Sequence, residues 1–308
     1  MKNYRVAASA FEPEPKTRLP ERRESLRQHI SALVSEQSPD LLVLPEMALV
    51  PDFEELDNLG AEALDGLTVT LISELATQHA CNICIPILED SDGHMFNTAV
   101  YVDRNGKTVG KYRKHTPTQG ELNVGIRAGV IAPDTILLDG LRVGTAICMD
   151  ENYPDLMWNY IAKGVDILVF PSYTYGGALI SSWALTSGVP LVCAFPWEAV
   201  IYDRDGSTLA IGGSRTSTVI FGHHPLWIAS DVNMQSRIYH LDGNQLKLPD
   251  IMKKYGSKID CQLMVREARM RITMVSEDLD IDQLENEFGL VGWQKYVSDT
   301  RAKADATR

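Results

Sequence analysis

Five short, largely apolar runs constrain the fold of this chain more than any other feature: Leu41–Leu44, Cys81–Leu88, Val143–Ile147, Asp166–Phe170 and Pro190–Phe195. Each is too short for a helix and too uniformly apolar for a strand with one wet face. Each therefore reads as a strand buried on both sides. Helix-length segments separate them. One runs from about Thr17 to Glu36, with Leu26, Ile30, Leu33 and Val34 at helical spacing; others are Gly66–Ala80 and a helix near Pro154–Lys163. Strands alternating with helices predict an α/β fold.

Three hairpins make its sheets mixed rather than purely parallel. Asn105-Gly106 joins Phe96–Val102 to Thr108–Tyr112, Asp139-Gly140 joins Thr135–Leu138 to Leu141–Cys148, and Asp205-Gly206 turns the third. Tyr4–Phe11, Thr216–Phe221 and Leu226–Val232 are further strands, and no internal repeat is visible. From about Ser236 strand signals thin and charge rises. Residues 1–235 are therefore expected to form the main domain. Residues 236–308 are expected to form a C-terminal extension, mostly helix and extended arm with a last strand at Met270–Val275, packing on the domain or on a partner subunit.

The formal net charge of -12 argues against a nucleic-acid partner, because phosphate binding needs concentrated Lys and Arg. No run approaches the ~18 apolar residues of a membrane span, and no signal peptide is recognised, so a cytoplasmic location is expected. The cysteines Cys81, Cys84, Cys148, Cys193 and Cys261 are odd in number, which suggests free thiols in a reducing compartment. Cys81 and Cys84 have redox spacing but fall in a strand, where positions three apart face opposite ways. Core packing is the better reading for them.

Three strands end in reactive residues: Leu41–Leu44 before Glu46, Thr108–Tyr112 before Arg113-Lys114, and Val143–Ile147 before Cys148. Strand ends are where α/β proteins place ligands, so a carboxylate, an ammonium and a thiol can converge there. Composition alone favours a structural role for Cys148, the commonest fate of a buried cysteine. Glu46 has the alternative of a surface carboxylate, and Lys114, beside Lys111 and Arg113, that of a solvated basic face.

These segments together resemble the nitrilase superfamily of carbon–nitrogen hydrolases over about Tyr4 to Val232. Leu41–Glu46 is similar to that family's glutamate motif and Lys111-Tyr112-Arg113-Lys114 to its lysine motif. Gly144–Asp150 with Tyr153-Pro154-Asp155 is similar to its cysteine motif, and Gly164–Ser172 to the strand and Pro-Ser that follow. The resemblance implies a four-layer α-β-β-α sandwich that pairs into a homodimer or higher homo-oligomer. It implies Cys148 as nucleophile, Glu46 as general base and Lys114, with the Met149 N–H, as oxyanion donor. Glu121 fits the place of the family's second glutamate. Tyr173 and Trp197 are candidate substrate contacts, with Tyr175 and Trp183 near them in sequence, and His115 is expected to pack or touch substrate. No cofactor and no metal are expected.

Met149-Asp150 after the cysteine is similar to amidase members and leans toward a small amide or N-carbamoyl substrate. The run Arg113-Lys114…Pro117-Thr118…Glu121 is similar to nitrilases and keeps a nitrile substrate open. An acyltransferase, a non-catalytic member and a thiol-redox protein are the competing classes. One departure is plain: Trp183-Ala184-Leu185-Thr186-Ser187 stands where many members carry Arg-Ala-x-Glu-Asn.

Overall fold

A computed structural model describes residues 3–12, 17–50, 61–213 and 226–308. The expected strand Thr216–Phe221 lies outside the described residues. Among those described, two six-stranded mixed sheets form the body. The first contains β1 (Asn3–Ser9), β2 (Leu41–Val43), β3 (Asn82–Ser91), β4 (His94–Val102), β5 (Thr108–Arg113) and β12 (Trp227–Asn233). The second contains β6 (Ile136–Leu138), β7 (Leu141–Thr145), β8 (Ile167–Pro171), β9 (Leu191–Ala194), β10 (Ala199–Tyr202) and β11 (Thr208–Gly212). Helices α1 (Leu19–Gln37) and α2 (Leu67–His79) accompany the first sheet; α4 (Pro154–Ala162) and α5 (Gly177–Ser187) accompany the second. A short α3 spans Gln119–Asn123.

The buried runs behave as their composition requires. In β2, Leu41 and Val43 enter the core shared by the two sheets, while Leu42, with Leu44 just beyond, packs among Leu26, Ile30, Leu33 and Ile72 of α1 and α2. Both faces are apolar because both are covered. Cys84 lies in the inter-sheet core and Cys81 in the helix-side core, so the two thiols face apart, and burial pushes each up to about 12. Tyr101 of β4 and Thr145 of β7 share a buried hydrogen bond of 2.7 Å across the sandwich.

The two sheets have the same topology. The order β12-β1-β2-β3-β4-β5 in one matches β6-β7-β8-β9-β10-β11 in the other, with the second and third of the five pairings parallel and the rest antiparallel. This architectural repeat leaves no trace as a sequence repeat, because each position asks only for an apolar residue and not for a particular one. A hairpin at Asp92-Gly93, both at positive φ, links β3 to β4. The acidic stretch Glu89-Asp90 conceals that β3 extends to Ser91.

Beyond Ser236 the structure contains more strand than its sequence suggests. β13 (Ser236–His240), β14 (Ile259–Met264) and β15 (Arg269–Met274) form an antiparallel sheet in the order β13-β15-β14. Only β15 is legible beforehand; β13 and β14 interleave apolar residues with Arg, Asp and Gln, and while β14 and β15 form a local hairpin across 265–268, the pairing of β13 with β15 is long-range. With α6 (Leu241–Asn244), α7 (Leu248–Tyr255) and α8 (Ile281–Phe288) they enclose a separate apolar cluster around Tyr239, Ile272 and Met274, while α9 (Trp293–Asp305) packs Val297 against the main core. This unit docks where the sequence departs from the family pattern. Trp293 Nε1 donates to the Thr186 carbonyl at 2.6 Å and Gln294 Nε2 to the Val165 carbonyl at 2.8 Å. The Arg269 guanidinium bonds the Leu185 carbonyl and stacks 3.6 Å over the Trp293 ring. No helix among the described residues is long and apolar enough to cross a membrane.

Candidate active site

Strand alternation decides which of the clustered basic residues is buried. Successive side chains on β5 point to opposite faces. Lys111 and Arg113 share one face and both bind Glu89, at 2.5 Å and 2.7 Å. Burial would raise Glu89, but hydrogen bonds from Arg113, Lys111 and Thr98 outweigh it and hold that carboxyl down at about 2. Tyr112 and Lys114 take the other face and are buried.

Lys114 follows β5 and sits opposite Asn97 near the start of β4, with its N–H donating to the Asn97 carbonyl at 2.8 Å. β4 runs antiparallel to β3 and β5, so the beginning of β4 and the ends of β2 and β5 lie at one edge of the sheet. That edge gathers the polar groups. The fully buried Lys114 Nζ is 2.9 Å from Glu46 Oε1 and 2.8 Å from Glu121 Oε2. Asn97 Nδ2 donates to the same two carboxylates, to Glu46 Oε1 at 2.7 Å and to Glu121 Oε1 at 2.8 Å. Glu46 Oε2 accepts the Tyr173 N–H at 2.7 Å. Glu121 also closes a capping box at the start of α3: its Oε2 accepts the Thr118 N–H at 2.7 Å, and its own N–H donates to Thr118 Oγ1 at 3.2 Å.

The charges follow from this packing. Burial disfavours the Lys114 cation, yet Glu46, Cys148 and Glu121 overcome that cost and hold it well above the ordinary lysine range. Burial likewise opposes the Glu121 anion, and Lys114 with the Asn97 and Thr118 donors more than compensates, so Glu121 stays ionised.

Cys148 opens a 3-10 turn, Cys148–Asn152, directly after the β7 segment. Its φ of 49° is left-handed, a conformation costing an L-residue ~1–2 kcal/mol. The strain is held by Asp150. Its Oδ2 accepts the Ile147 N–H at 2.9 Å and the Tyr112 hydroxyl at 2.7 Å, and its Oδ1 accepts the Thr116 N–H at 2.7 Å. Asp150 thereby ties the cysteine turn to the loop that carries Lys114. Burial raises its carboxyl despite those donors. The Cys148 thiol lies 3.7 Å from Thr174 Oγ1. Burial and then the Glu46 carboxylate push its pKa up, while Lys114 and the hydroxyls of Thr174 and Ser172 pull it down; the net shift is upward. The resting thiol therefore keeps its proton until a base takes it.

The other expected residues are placed as follows. Met149 is half-buried on the cysteine turn. Tyr173 contributes its backbone to Glu46 and packs its ring edge-on against Trp197, 5.4 Å between centroids. Trp197 Nε1 donates to Glu12 at 2.5 Å. Trp183 is buried in the core on α5 and Tyr175 lies between Phe195 and Trp197. The His115 N–H donates to Tyr112 Oη at 3.1 Å, so the backbone of His115 supports Asp150. Sequence reasoning missed Asn97, Tyr112 and Thr174. The one signal for Asn97 was a polar Asn-Thr pair inside an otherwise apolar strand.

The chain resembles known proteins over its main body. The family model for carbon-nitrogen hydrolases matches residues 5–226. A "Hydrolase in pqqF 5'region" of Pseudomonas protegens is 32% identical over 137 residues, 43% of this chain and 48% of that protein. A formamidase of Pseudomonas syringae pv. tomato is 25% identical over 206 residues, 59% of this chain and 58% of the relative. The chain thus spans about half the length of these curated relatives. Among solved structures, Saccharomyces cerevisiae Nit3, a member of branch 10 of the nitrilase superfamily, superposes with a TM-score of 0.64 at 20% identity, covering 75% of this chain and 90% of that one.

Proposed function

The chain belongs to the carbon-nitrogen hydrolase family, and from that premise we propose that it hydrolyses the carbon–nitrogen bond of a small linear amide or N-carbamoyl compound through a thioester on Cys148, releasing ammonia. The observation that carries this reading is the buried Lys114 ammonium clasped by Glu46 and Glu121 at the site of Cys148, whose backbone is held at positive φ.

In this reading Glu46 removes the thiol proton as Sγ attacks the carbonyl carbon. The oxyanion of the tetrahedral adduct is stabilised by Lys114 Nζ and the Met149 N–H. A fixed donor of this kind contributes roughly 3–4 kcal/mol to the transition state. Glu46 passes the proton to the leaving nitrogen, the C–N bond breaks, and ammonia departs. Glu46 then takes a proton from water, whose oxygen attacks the thioester carbon; the C–S bond breaks and the thiol is regenerated. Proton transfer of this kind contributes about 10²–10⁴-fold. Glu121 and Asn97 act by positioning: they fix Lys114 and Glu46 so that little reorganisation accompanies charge development.

Asp150 after Met149, together with the formamidase similarity, supports an amide over a nitrile. The Thr118–Glu121 capping box belongs to the nitrilase-like run and makes a nitrile the second reading. Ammonia release from a panel of small amides, N-carbamoyl compounds and nitriles, with Cys148→Ala alongside, tests both. Release from amides that disappears in the variant supports the proposal. Release from nitriles alone transfers it to nitrilase activity, and no release from a folded protein overturns it.

A further inference from the structure

The loop after β8 brings one more polar group to the thiol, and the chemistry above gives it no part. Thr174 Oγ1 lies 3.7 Å from Cys148 Sγ, within reach of a hydrogen bond to sulfur. Among the described residues Sγ is the one partner of that hydroxyl. Thr174 is exposed, and α5 begins without a side-chain cap, so neither core packing nor helix capping accounts for where the hydroxyl sits.

The loop is fastened on both sides of Thr174. The Ser172 N–H donates to the Ala194 carbonyl at 2.9 Å, and the Tyr173 N–H to Glu46 Oε2 at 2.7 Å. Further on, Gly176 presses so closely on the cysteine turn that a Cβ there would lie 2.2 Å from Glu151 Oε2. Ser172 Oγ sets the backbone of Thr174 itself: it donates to the Thr174 carbonyl at 2.5 Å and accepts the Thr174 N–H at 3.1 Å.

Proton counting separates the groups around the sulfur. A hydroxyl has one proton to give and an ammonium three. The Ser172 proton is committed to the Thr174 carbonyl. Two of the Lys114 protons are committed to Glu46 and Glu121, which leaves one for an oxyanion. The Thr174 proton is uncommitted and stands beside Sγ. Cys148 is buried, so water supplies little of the hydrogen bonding that a thiolate needs.

We propose that Thr174 is a further catalytic residue, whose hydroxyl donates a hydrogen bond to the Cys148 sulfur whenever that sulfur carries negative charge. The bond is made twice in one turnover. It forms as Glu46 takes the thiol proton, and again as the C–S bond of the second tetrahedral adduct breaks and its electron pair returns to sulfur. The O–H stays on Thr174 throughout, and the proton that moves is carried by Glu46. The catalytic role rests on the hydrolase reading above; the contact between hydroxyl and sulfur does not.

The test compares wild type with Thr174→Val, which keeps the shape and removes the donor, and Thr174→Ser, which keeps the donor. The first readout is the pH midpoint of iodoacetamide labelling at Cys148, which needs no turnover. It should rise by roughly half to one unit in Thr174→Val and return toward wild type in Thr174→Ser. The second readout is kcat for the best amide of the panel, expected to fall about tenfold in Thr174→Val with KM changed less, and to recover in Thr174→Ser. A merely structural role would lower the melting temperature and leave the midpoint where it was. Thr174→Ala replaces the valine variant if that does not fold. An unmoved midpoint in the variant lacking the donor, or a shift that Thr174→Ser does not reverse, overturns the proposal. A raised midpoint with undiminished kcat overturns the catalytic role. A raised midpoint in a protein that turns over no substrate leaves the contact standing and removes the hydrolase reading. Turnover by the wild type with an unmoved midpoint in the variant keeps that reading and removes Thr174 from it.

Discussion

Lys114 and Glu46, 68 residues apart in the chain, meet as a fully buried ion pair, Nζ to Oε1 2.9 Å, at one edge of the first sheet. Neither could stay charged there alone. Breaking such a pair from one side costs about 3–5 kcal/mol, because it strands the other charge. Lys114→Met is therefore expected to lower stability by about that amount, read from urea denaturation, as well as to abolish activity. Glu46→Gln keeps the shape and should fold, with kcat lowered about 10²–10⁴-fold. A Glu46→Gln enzyme of undiminished kcat would remove Glu46 from the chemistry.

The charges around Cys148 make opposite predictions for the two partners. Glu46 raises the thiol and Lys114 lowers it. The pH midpoint of iodoacetamide labelling at Cys148, followed by intact mass, should move down in Glu46→Gln and up in Lys114→Met. Midpoints that do not move, or move together, would show that the thiol does not feel these groups.

Asn97 is expected to matter as a positioning residue. Asn97→Leu leaves Glu46 Oε1 and Glu121 Oε1 each short of a donor. A buried acceptor deprived of its donor costs about 1–3 kcal/mol. Stability should fall by an amount in that range and kcat should fall more than KM changes. Asn97→Gln or Asn97→Ser, if either restores the donor, should recover part of the loss.

Tyr112→Phe removes one of the donors that hold Asp150, and with it part of the brace on the strained Cys148 turn. Hydrogen bonds to charged groups contribute about 1.5–3 kcal/mol. The variant should unfold at lower urea concentration and turn over more slowly. Unchanged kcat with lowered stability would confine Tyr112 to the fold.

Glu151 sets a pH dependence with a definite sign. Its carboxyl is raised from 4.5 to about 7, so the folded protein holds the proton more tightly than the unfolded chain. Its contribution to stability is complete below the ordinary value of 4.5 and is lost as pH rises through about 7. The stability difference between wild type and Glu151→Gln, measured by denaturation at about pH 4.5 and about pH 8, should therefore move in favour of the variant as pH rises. A difference that does not change with pH would mean that the carboxylate is compensated.

The sequence determined by itself the character of the main strands and singled out the candidates for the reactive residues. Leu41–Leu44, and Ile167 to Phe170 within Asp166–Phe170, admit little besides doubly covered strands, because only burial on both faces satisfies an unbroken apolar run. Glu46, Lys114 and Cys148 were legible as strand-end residues and through the family resemblance, and Glu121 through the resemblance alone; its capping box with Thr118 emerges in the structure. Tertiary structure alone decided the rest. That Lys114 rather than Lys111 or Arg113 points inward follows from the register of β5 on β4. That Asn97 braces two carboxylates follows from the antiparallel return of β4, which sets it opposite Lys114. The pairing of β13 with β15, and the docking of the C-terminal unit onto the carbonyls of Val165 and Thr186, depend on partners far along the chain. Local sequence encodes periodicity and burial; which distant side chains share a hydrogen bond is fixed only when the sheets close on one another.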